Sequence, residues 1–141
     1  MFSDDRVVEA VRDRFVALKQ FLGEDRETSR RYRPFWTPTL YFLDPDGHAL
    51  VTWPGLINAD DMLALLDFGA AQVGMRRGRF KPALELLEGV AEDWPDSPLA
   101  PEALWWAGNL RYVMEGGRSA LDELRAELME RYPESAAARR V

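Results

Sequence analysis

One apolar stretch with a turn at its centre constrains the fold of this chain more than any other feature. It reads TPTLYFLDPDGHALVTWPG and covers residues 37–55. Its Asp44–Gly47 centre is a turn sequence, because Pro presets φ at the second position and Gly follows Asp. The flanking runs therefore predict an antiparallel hairpin, with strands over Leu40–Phe42 and Leu50–Thr52. The continuous apolar run of the first strand predicts burial on both of its faces.

Helical patterns lie on both sides of the hairpin. Ser3 is a predicted cap for a first helix, because Asp4 and Asp5 fit its first turn and an apolar stripe follows at helical spacing. The segment Phe15–Leu22 predicts a strand, and a short polar helix is expected over about Asp25–Tyr32. After the hairpin, Asn58 and Asp61 form a capping-box-like pattern. They predict a long helix that runs to about residue 75.

Residues after Gly78 predict helices only, and they contain an internal repeat. The sequence EDWPDSPLAPEA (Glu92–Ala103) is echoed by ERYPESAAARR (Glu130–Arg140), 38 residues later. A period of this length is typical of helix–turn–helix arrays. Because only about one and a half units are present, the array must pack on another part of the protein to be stable.

Composition excludes several classes of function. The chain is 47% hydrophobic and 30% charged, which indicates a globular protein. Its net charge of −6 arises after residue 40, and an acidic body disfavours nucleic acid as a partner. It has no cysteine, so this chain has no disulfide, thiolate nucleophile or thiolate metal site. The longest uncharged run, residues 47–59, is too short to span a bilayer, and no secretory signal is recognisable. We expect a cytoplasmic protein without a membrane contact.

The polar residues offer no catalytic set. His48 is the only histidine, and we expect it to be exposed and inert in the hairpin turn, since it has no serine or cysteine companion. The turn lacks the ligand ladder of a calcium loop, and no glycine-rich phosphate loop occurs. We therefore assign no catalytic residue, no metal ligand and no cofactor.

Four arginines, at positions 26, 30, 31 and 33, form a basic cluster that is either a solvated helix face or a contact for an anion or partner.

Two families are visible in these patterns. Residues 3–73 resemble the second part of a thioredoxin-like domain: SDDRVVEAVRDRFVALKQ resembles the helix after the redox motif and the next strand. WTPTLYFLDPDGHALVTWPGLINADDMLALL resembles the cis-proline strand, its hairpin partner and the closing helix. Residues 78–138 are similar to tetratricopeptide-type repeats, a tail found in some bacterial thioredoxin-like proteins. The implied fold is α/β, an incomplete thioredoxin-like sheet (β-α-β-β-α) over residues 1–76 with an α-helical repeat-like region over 77–141 packed on it.

The resemblance also implies a site. It places a cis bond before Pro38 and offers the backbone of Thr37 to an extended substrate peptide, a small case of strand addition. Exposed aromatic rings nearby would give this surface an apolar floor, although core packing is the alternative for each ring. The candidate peptide-binding residues are Trp36, Thr37 and Pro38, and the candidate partner surface comprises Phe35, Trp53 and Trp105.

The chain departs from the family because the Cys-x-x-Cys motif and the strand before it are absent. That strand would lie between Phe15–Leu22 and Pro38–Leu43, and its absence leaves edges that recruit other chains. The two flanking strands could pair directly, a second chain could form a homodimer through the exposed edge, or the native protein could start upstream. We therefore keep two functional hypotheses: a non-catalytic protein-interaction module or scaffold, and a truncated thiol–disulfide oxidoreductase whose motif lies upstream of Met1.

Overall fold

The structure is a computed structural model that describes residues 3–21 and 23–141. In these ranges the chain forms six α-helices, one two-stranded sheet and a final 3₁₀ turn. The elements are α1 Asp5–Arg14, α2 Arg26–Tyr32, β1 Thr39–Leu43, β2 Ala49–Pro54, α3 Ala59–Arg76, α4 Phe80–Asp93, α5 Ala100–Glu115, α6 Ser119–Arg131 and the turn Ala138–Arg140. The predicted class, mixed α/β with an incomplete thioredoxin-like sheet and a helical C-terminal region, is confirmed.

The segment after α1 is not the predicted strand. Leu22 lies outside the described residues, and Phe15–Phe21 pairs with no strand inside them. Val16 is 93% exposed and Leu18 is 81% exposed, so their apolar side chains lack a covering layer. An extended segment needs a hydrogen-bonded neighbour to be a stable strand, and the local pattern alone cannot supply one. Among the described residues of this segment, only Phe15 packs against the core, where its ring meets the Phe42 ring edge-on at 5.8 Å between centroids.

The hairpin forms as predicted, with β1 and β2 antiparallel and Leu40 opposite Trp53. The expected burial of β1 on both faces is wrong, because Phe42 is the only fully buried residue of the strand. One face packs on α3, and among the described residues the other face is met by α2, a helix of 7 residues, and by the loop that follows it. The sheet therefore keeps a partly open face.

Helix α3 begins at the predicted cap. The Asn58 Oδ1 accepts from the backbone N–H of Asp61 at 2.8 Å. Along the helix, Gly69 lies directly under the Phe42 ring, because a Cβ added there would overlap that ring. The glycine thus lets the strand and the helix approach closely. The predicted cap of α1 is displaced by one residue, since the Asp4 carboxylate and not Ser3 accepts from the Arg6 N–H.

Helices α4 and α5 share one core with the first half of the chain. Leu87 and Val90 of α4 are fully buried in a cluster with Val7, Phe42 and Leu65. A second cluster joins α5 and α6 to the C-terminal turn, and its buried members are Ala91, Leu104, Leu124, Leu128, Ala137 and Ala138. No helix in the described part of the chain is both long and apolar enough to cross a bilayer.

The internal repeat has a structural counterpart. After α4, the Ser97 N–H donates to the Trp94 carbonyl at 3.0 Å, and after α6 the Ser135 N–H donates to the Tyr132 carbonyl at 3.0 Å. Each serine Oγ then accepts a backbone N–H two or three residues later. The two turns are thus built alike, 38 residues apart in the sequence. A tetratricopeptide relationship remains a prediction.

Candidate functional site

Strand β1 has one free edge. The Gly55 N–H donates to the Pro38 carbonyl at 2.7 Å, just before the ladder begins. Since antiparallel ladder bonds recur at every second residue, Leu40 and Phe42 direct their backbone groups toward β2. The backbone groups of Thr39 and Tyr41 then point away from β2. Among the described residues β1 has no neighbour on that side.

An aromatic pocket lies beside this edge, on the face of the hairpin opposite the core. Its volume is about 290 Å³, and its lining residues are Tyr32, Arg33, Phe35, Trp36, Thr39, Tyr41, Thr52 and Pro54. Phe35 is 96% exposed and Trp36 is 60% exposed, so neither ring is part of the core. The Thr39 Oγ1 donates to the Trp36 carbonyl at 2.5 Å and fixes the loop against the strand. A pocket of this size suits one or two side chains of a peptide.

Helix α2 is held against the hairpin turn. The Asp25 carboxylate caps it by accepting from the Glu27 N–H at 2.9 Å and the Thr28 N–H at 3.2 Å. At its other end the Tyr32 hydroxyl donates to the Gly47 carbonyl at 2.8 Å. The Tyr32 ring also packs against Tyr41, with 5.4 Å between centroids. These bonds build one wall of the pocket from a helix too short to be stable alone.

The structure separates the six predicted site residues into three places. Phe35 and Trp36 line the pocket, and Thr37 and Pro38 are exposed next to it, joined by a cis peptide bond. Trp53 lies on the core side of β2, packed on the main cluster. Trp105 belongs to the second cluster, far along the chain, where the Arg140 guanidinium lies 4.3 Å from its ring centroid. Sequence reasoning missed Tyr32 and Tyr41, although the alternation of β1 would have placed Tyr41 on the face of Thr39.

Comparison with known families agrees with this architecture. Residues 1–70 match the family model of a thioredoxin-like domain. Over these residues the chain is similar to a thioredoxin-like domain. The match ends inside α3, and comparisons with curated proteins and with solved structures found no match to this chain.

Arg33 of the thioredoxin-like domain has a left-handed backbone, with φ 45° and ψ 55°. It is the C-cap of α2, and among the described residues it is the only non-glycine residue with positive φ. For an L-residue this conformation costs roughly 1–2 kcal/mol, which is why glycine or asparagine usually occupies it. The strained position puts an exposed guanidinium side chain at the rim of the pocket.

The variant Arg33→Gly should therefore be more stable than the wild type. We expect the free energy of unfolding to rise by about 0.5–1 kcal/mol, because glycine relieves the left-handed strain but loses more chain entropy. Urea unfolding followed by tryptophan fluorescence measures the change. The matched control is Arg30→Gly, inside α2, which should lower stability by about 1 kcal/mol. A lower stability of Arg33→Gly than of the wild type would show that contacts of the Arg33 side chain stabilise the fold by more than the left-handed backbone costs.

His48 is exposed, as predicted, and the structure adds a partner for its side chain. Its Nδ1 lies 3.1 Å from Oδ2 of Asp44, whose side chain is only 4% exposed. Asp44 also accepts from the backbone N–H groups of His48 at 2.8 Å and Asp46 at 3.0 Å. The His48 N–H is the main reason that the pKa of Asp44 is lowered, and burial opposes it. Asp44, Asp46 and His48 bring three ligand-type atoms within 4.8 Å, and the hydrogen bonds of the turn account for this grouping.

The lowered pKa of Asp44 makes the hairpin turn sensitive to acid. A carboxyl whose folded pKa lies below its unfolded value near 3.8 stabilises the fold above that value. This stabilisation is lost as the pH falls through the lower, folded pKa. We expect the urea midpoint of the wild type to drop from about pH 4 downward, and Asp44→Asn to be less stable at pH 7 with a flatter acid profile. Asp46→Asn, an exposed carboxyl of the same turn, is the control and should keep the wild-type profile.

Proposed function

We propose that this protein is a non-catalytic interaction module that binds an extended peptide along the free edge of β1. The observation that carries the proposal is that Thr39 and Tyr41, whose backbone groups form this edge, also line the aromatic pocket. Backbone N–H and C=O groups of Thr39 and Tyr41 supply hydrogen bonds to an added strand, as in other β-addition complexes. Because side chains alternate along a strand, every second peptide side chain would face the pocket.

The exposed rings support this assignment. Large aromatic side chains are the residues that most often dominate binding energy at interfaces. Phe35 and Trp36 lie in a loop that no other described element covers, and burying them in a complex would recover apolar contact that the free protein lacks. The absence of cysteine means that this chain offers no thiol for disulfide exchange.

The variant Trp36→Ala should weaken peptide binding by roughly tenfold, the usual consequence of removing a central aromatic anchor. A displayed library of random 12-residue peptides supplies the ligands, and fluorescence anisotropy measures their affinity. Amide hydrogen exchange should show protection at Thr39 and Tyr41 when a selected peptide is bound. Leu56→Ala, which removes an exposed apolar side chain outside the pocket, should leave the affinity unchanged.

Two results would contradict the proposal that the protein is a peptide-binding module. The library could yield no peptide, or the selected peptides could protect amides away from β1 and bind Trp36→Ala as tightly as the wild type. Light scattering of the free protein tests the related proposal that a second copy pairs at the same edge. A dimer in which the Thr39 and Tyr41 amides are already protected would identify the occupant as this chain itself.

A second candidate is thiol–disulfide exchange by a longer form of the protein with a Cys-x-x-Cys motif upstream. The observation that favours it is the exposed apolar segment around Val16 and Leu18, together with the free edge of β1, since a sheet that lacks one strand leaves both features uncovered. Intact mass and terminal sequencing of the protein from its own cells test this candidate. An N-terminus at Met1 would overturn it, whereas an upstream motif with measurable disulfide reduction would support it.

A further inference from the structure

We propose that the peptide bound at this edge is acidic, and that Arg26, Arg30 and Arg33 select it. This inference rests on the proposed function and adds the chemistry of the partner. The three side chains, here called the arginine set, are exposed on α2 and its C-cap, the helix that forms one wall of the pocket. Their partner would be a segment that carries Asp or Glu side chains between apolar residues.

The described part of the chain supplies no carboxylate partner for the arginine set. Some other arginines pair across the fold, for example Arg111 with Glu88 and Arg140 with Glu102, whereas others, such as Arg125, pair with none of the described carboxylates. Among the described residues no carboxylate lies within 4.0 Å of Arg26, Arg30 or Arg33, although Glu27 is in the same helix. Arg26 and Arg30 are also four residues apart, a spacing at which like charges repel along a helix. Ion pairing within the chain therefore does not explain these three charges, although Arg30 in the last turn is favourable for the helix dipole.

The backbone conformation of Arg33 is a further feature that the stability of the fold does not explain. Its backbone is in the left-handed conformation that favours glycine, yet a long cationic side chain occupies the position and lines the pocket. Residues that keep an unfavourable backbone conformation are concentrated at binding sites. Arg33 lines the same pocket as Phe35, Trp36 and the β1 residue Tyr41.

The charge of the rest of the chain makes this patch distinctive. After residue 40 the sequence has 10 basic and 17 acidic side chains, whereas before it there are 8 basic and 7 acidic ones. An acidic peptide is thus repelled by most of the protein and attracted at the arginine set. Because such attractions between exposed charges extend only about 10 Å at 0.1 M salt, the contact must be local.

The spacing of the arginines also suits an extended ligand. Helix neighbours four residues apart have Cβ atoms roughly 6 Å apart. Side chains on one face of a strand recur at about 7 Å, twice the rise per residue. Two carboxylates at alternate positions of an added strand therefore match two arginines on one helix face. The planar guanidinium group favours carboxylates further, since it can donate two parallel hydrogen bonds to one carboxylate.

Three matched probes test the inference on the full chain. They are capped, fluorescently labelled octapeptides in which Val alternates with Glu, Gln or Lys. We expect the Glu peptide to bind about tenfold more tightly than the Gln peptide at low salt, because each exposed arginine–carboxylate contact contributes roughly two- to fivefold. The Lys peptide should bind most weakly. The double variant Arg30→Gln, Arg33→Gln should bind the Glu and Gln peptides equally.

The control is Arg125→Gln, an exposed arginine on α6, away from the pocket in the sequence and in the fold. Equal affinities for the Glu and Gln peptides in the wild type would overturn the acidic preference and leave peptide binding intact. A loss of Glu binding in Arg125→Gln as large as in the double variant would also overturn it, because net charge alone would then explain the preference. If neither the octapeptides nor any peptide selected from the library binds at β1, the proposed function itself fails.

Discussion

Replacing Leu87 with alanine should lower the free energy of unfolding by about 3–4 kcal/mol. Leu87 is fully buried in α4, and its cluster includes Leu65 of α3 and Val7 of α1. The loss combines the transfer energy of the removed atoms with the cavity that remains, since these helices can close it only partly. Urea unfolding should show one transition that is shifted equally for tryptophan fluorescence and far-ultraviolet circular dichroism.

The same experiment tests whether the two halves fold together. If α4–α6 were an independent unit, Leu87→Ala would split the curve and leave the thioredoxin-like domain with its original midpoint. Leu56→Ala, in an exposed loop, is the matched control and should change the free energy of unfolding by less than about 0.5 kcal/mol.

Replacing Gly69 with alanine should destabilise the protein by about 2–3 kcal/mol, although alanine is the better helix former. The added Cβ would overlap the Phe42 ring, which is itself buried between β1 and α3. Overpacking of this kind forces side chains off their rotamers or shifts the backbone. The favourable helix propensity, about 1 kcal/mol, offsets only part of that effect.

Two other helix glycines provide the comparison. Gly108→Ala should also destabilise, because its Cβ would lie 2.7 Å from Leu124 Cβ across the α5–α6 contact. A Cβ added at Gly89 would meet only the Asp93 carboxylate, at 4.0 Å. The higher helix propensity of alanine should therefore dominate, and Gly89→Ala should raise the free energy of unfolding by about 0.5–1 kcal/mol. Thermal unfolding of the three variants measures the sign of each change. A stabilised Gly69→Ala would show that Phe42 can move without loss.

Local signals in the sequence sufficed for the elements that depend on near neighbours. The turn at Asp44–Gly47 and the cap at Asn58 need only residues a few positions away, and both form as predicted. The Phe15–Leu22 prediction was wrong because a strand depends on a partner that no local pattern contains. The burial of β1 was overestimated for a similar reason, since it depends on how much of the sheet α2 covers.

The candidate site was predictable in part. The resemblance located Trp36, Thr37 and Pro38, and the structure adds that Trp36 faces a pocket while Trp53 faces the core. Trp53 belongs to β2, so the register of the hairpin decides which face it takes, whereas Trp36 lies in the loop before β1, whose course no local pattern gives. The left-handed Arg33 could not be foreseen, because arginine has no preference for that conformation and Pro34 only indicates that the helix ends.

Helix α3 has a consequence for how the chain could be divided. One side of it carries the hairpin, and the other carries α4, with Ala83 lying against Gly74. The turn between the two helices, residues 77–79, is exposed and contains Arg77 and Arg79, which are cleavage positions for trypsin-like proteases. A cut there would break the backbone but leave the interlocked side chains in place. The two fragments would then stay associated through these side-chain contacts, and they could be used as a pair that reassembles without a covalent bond.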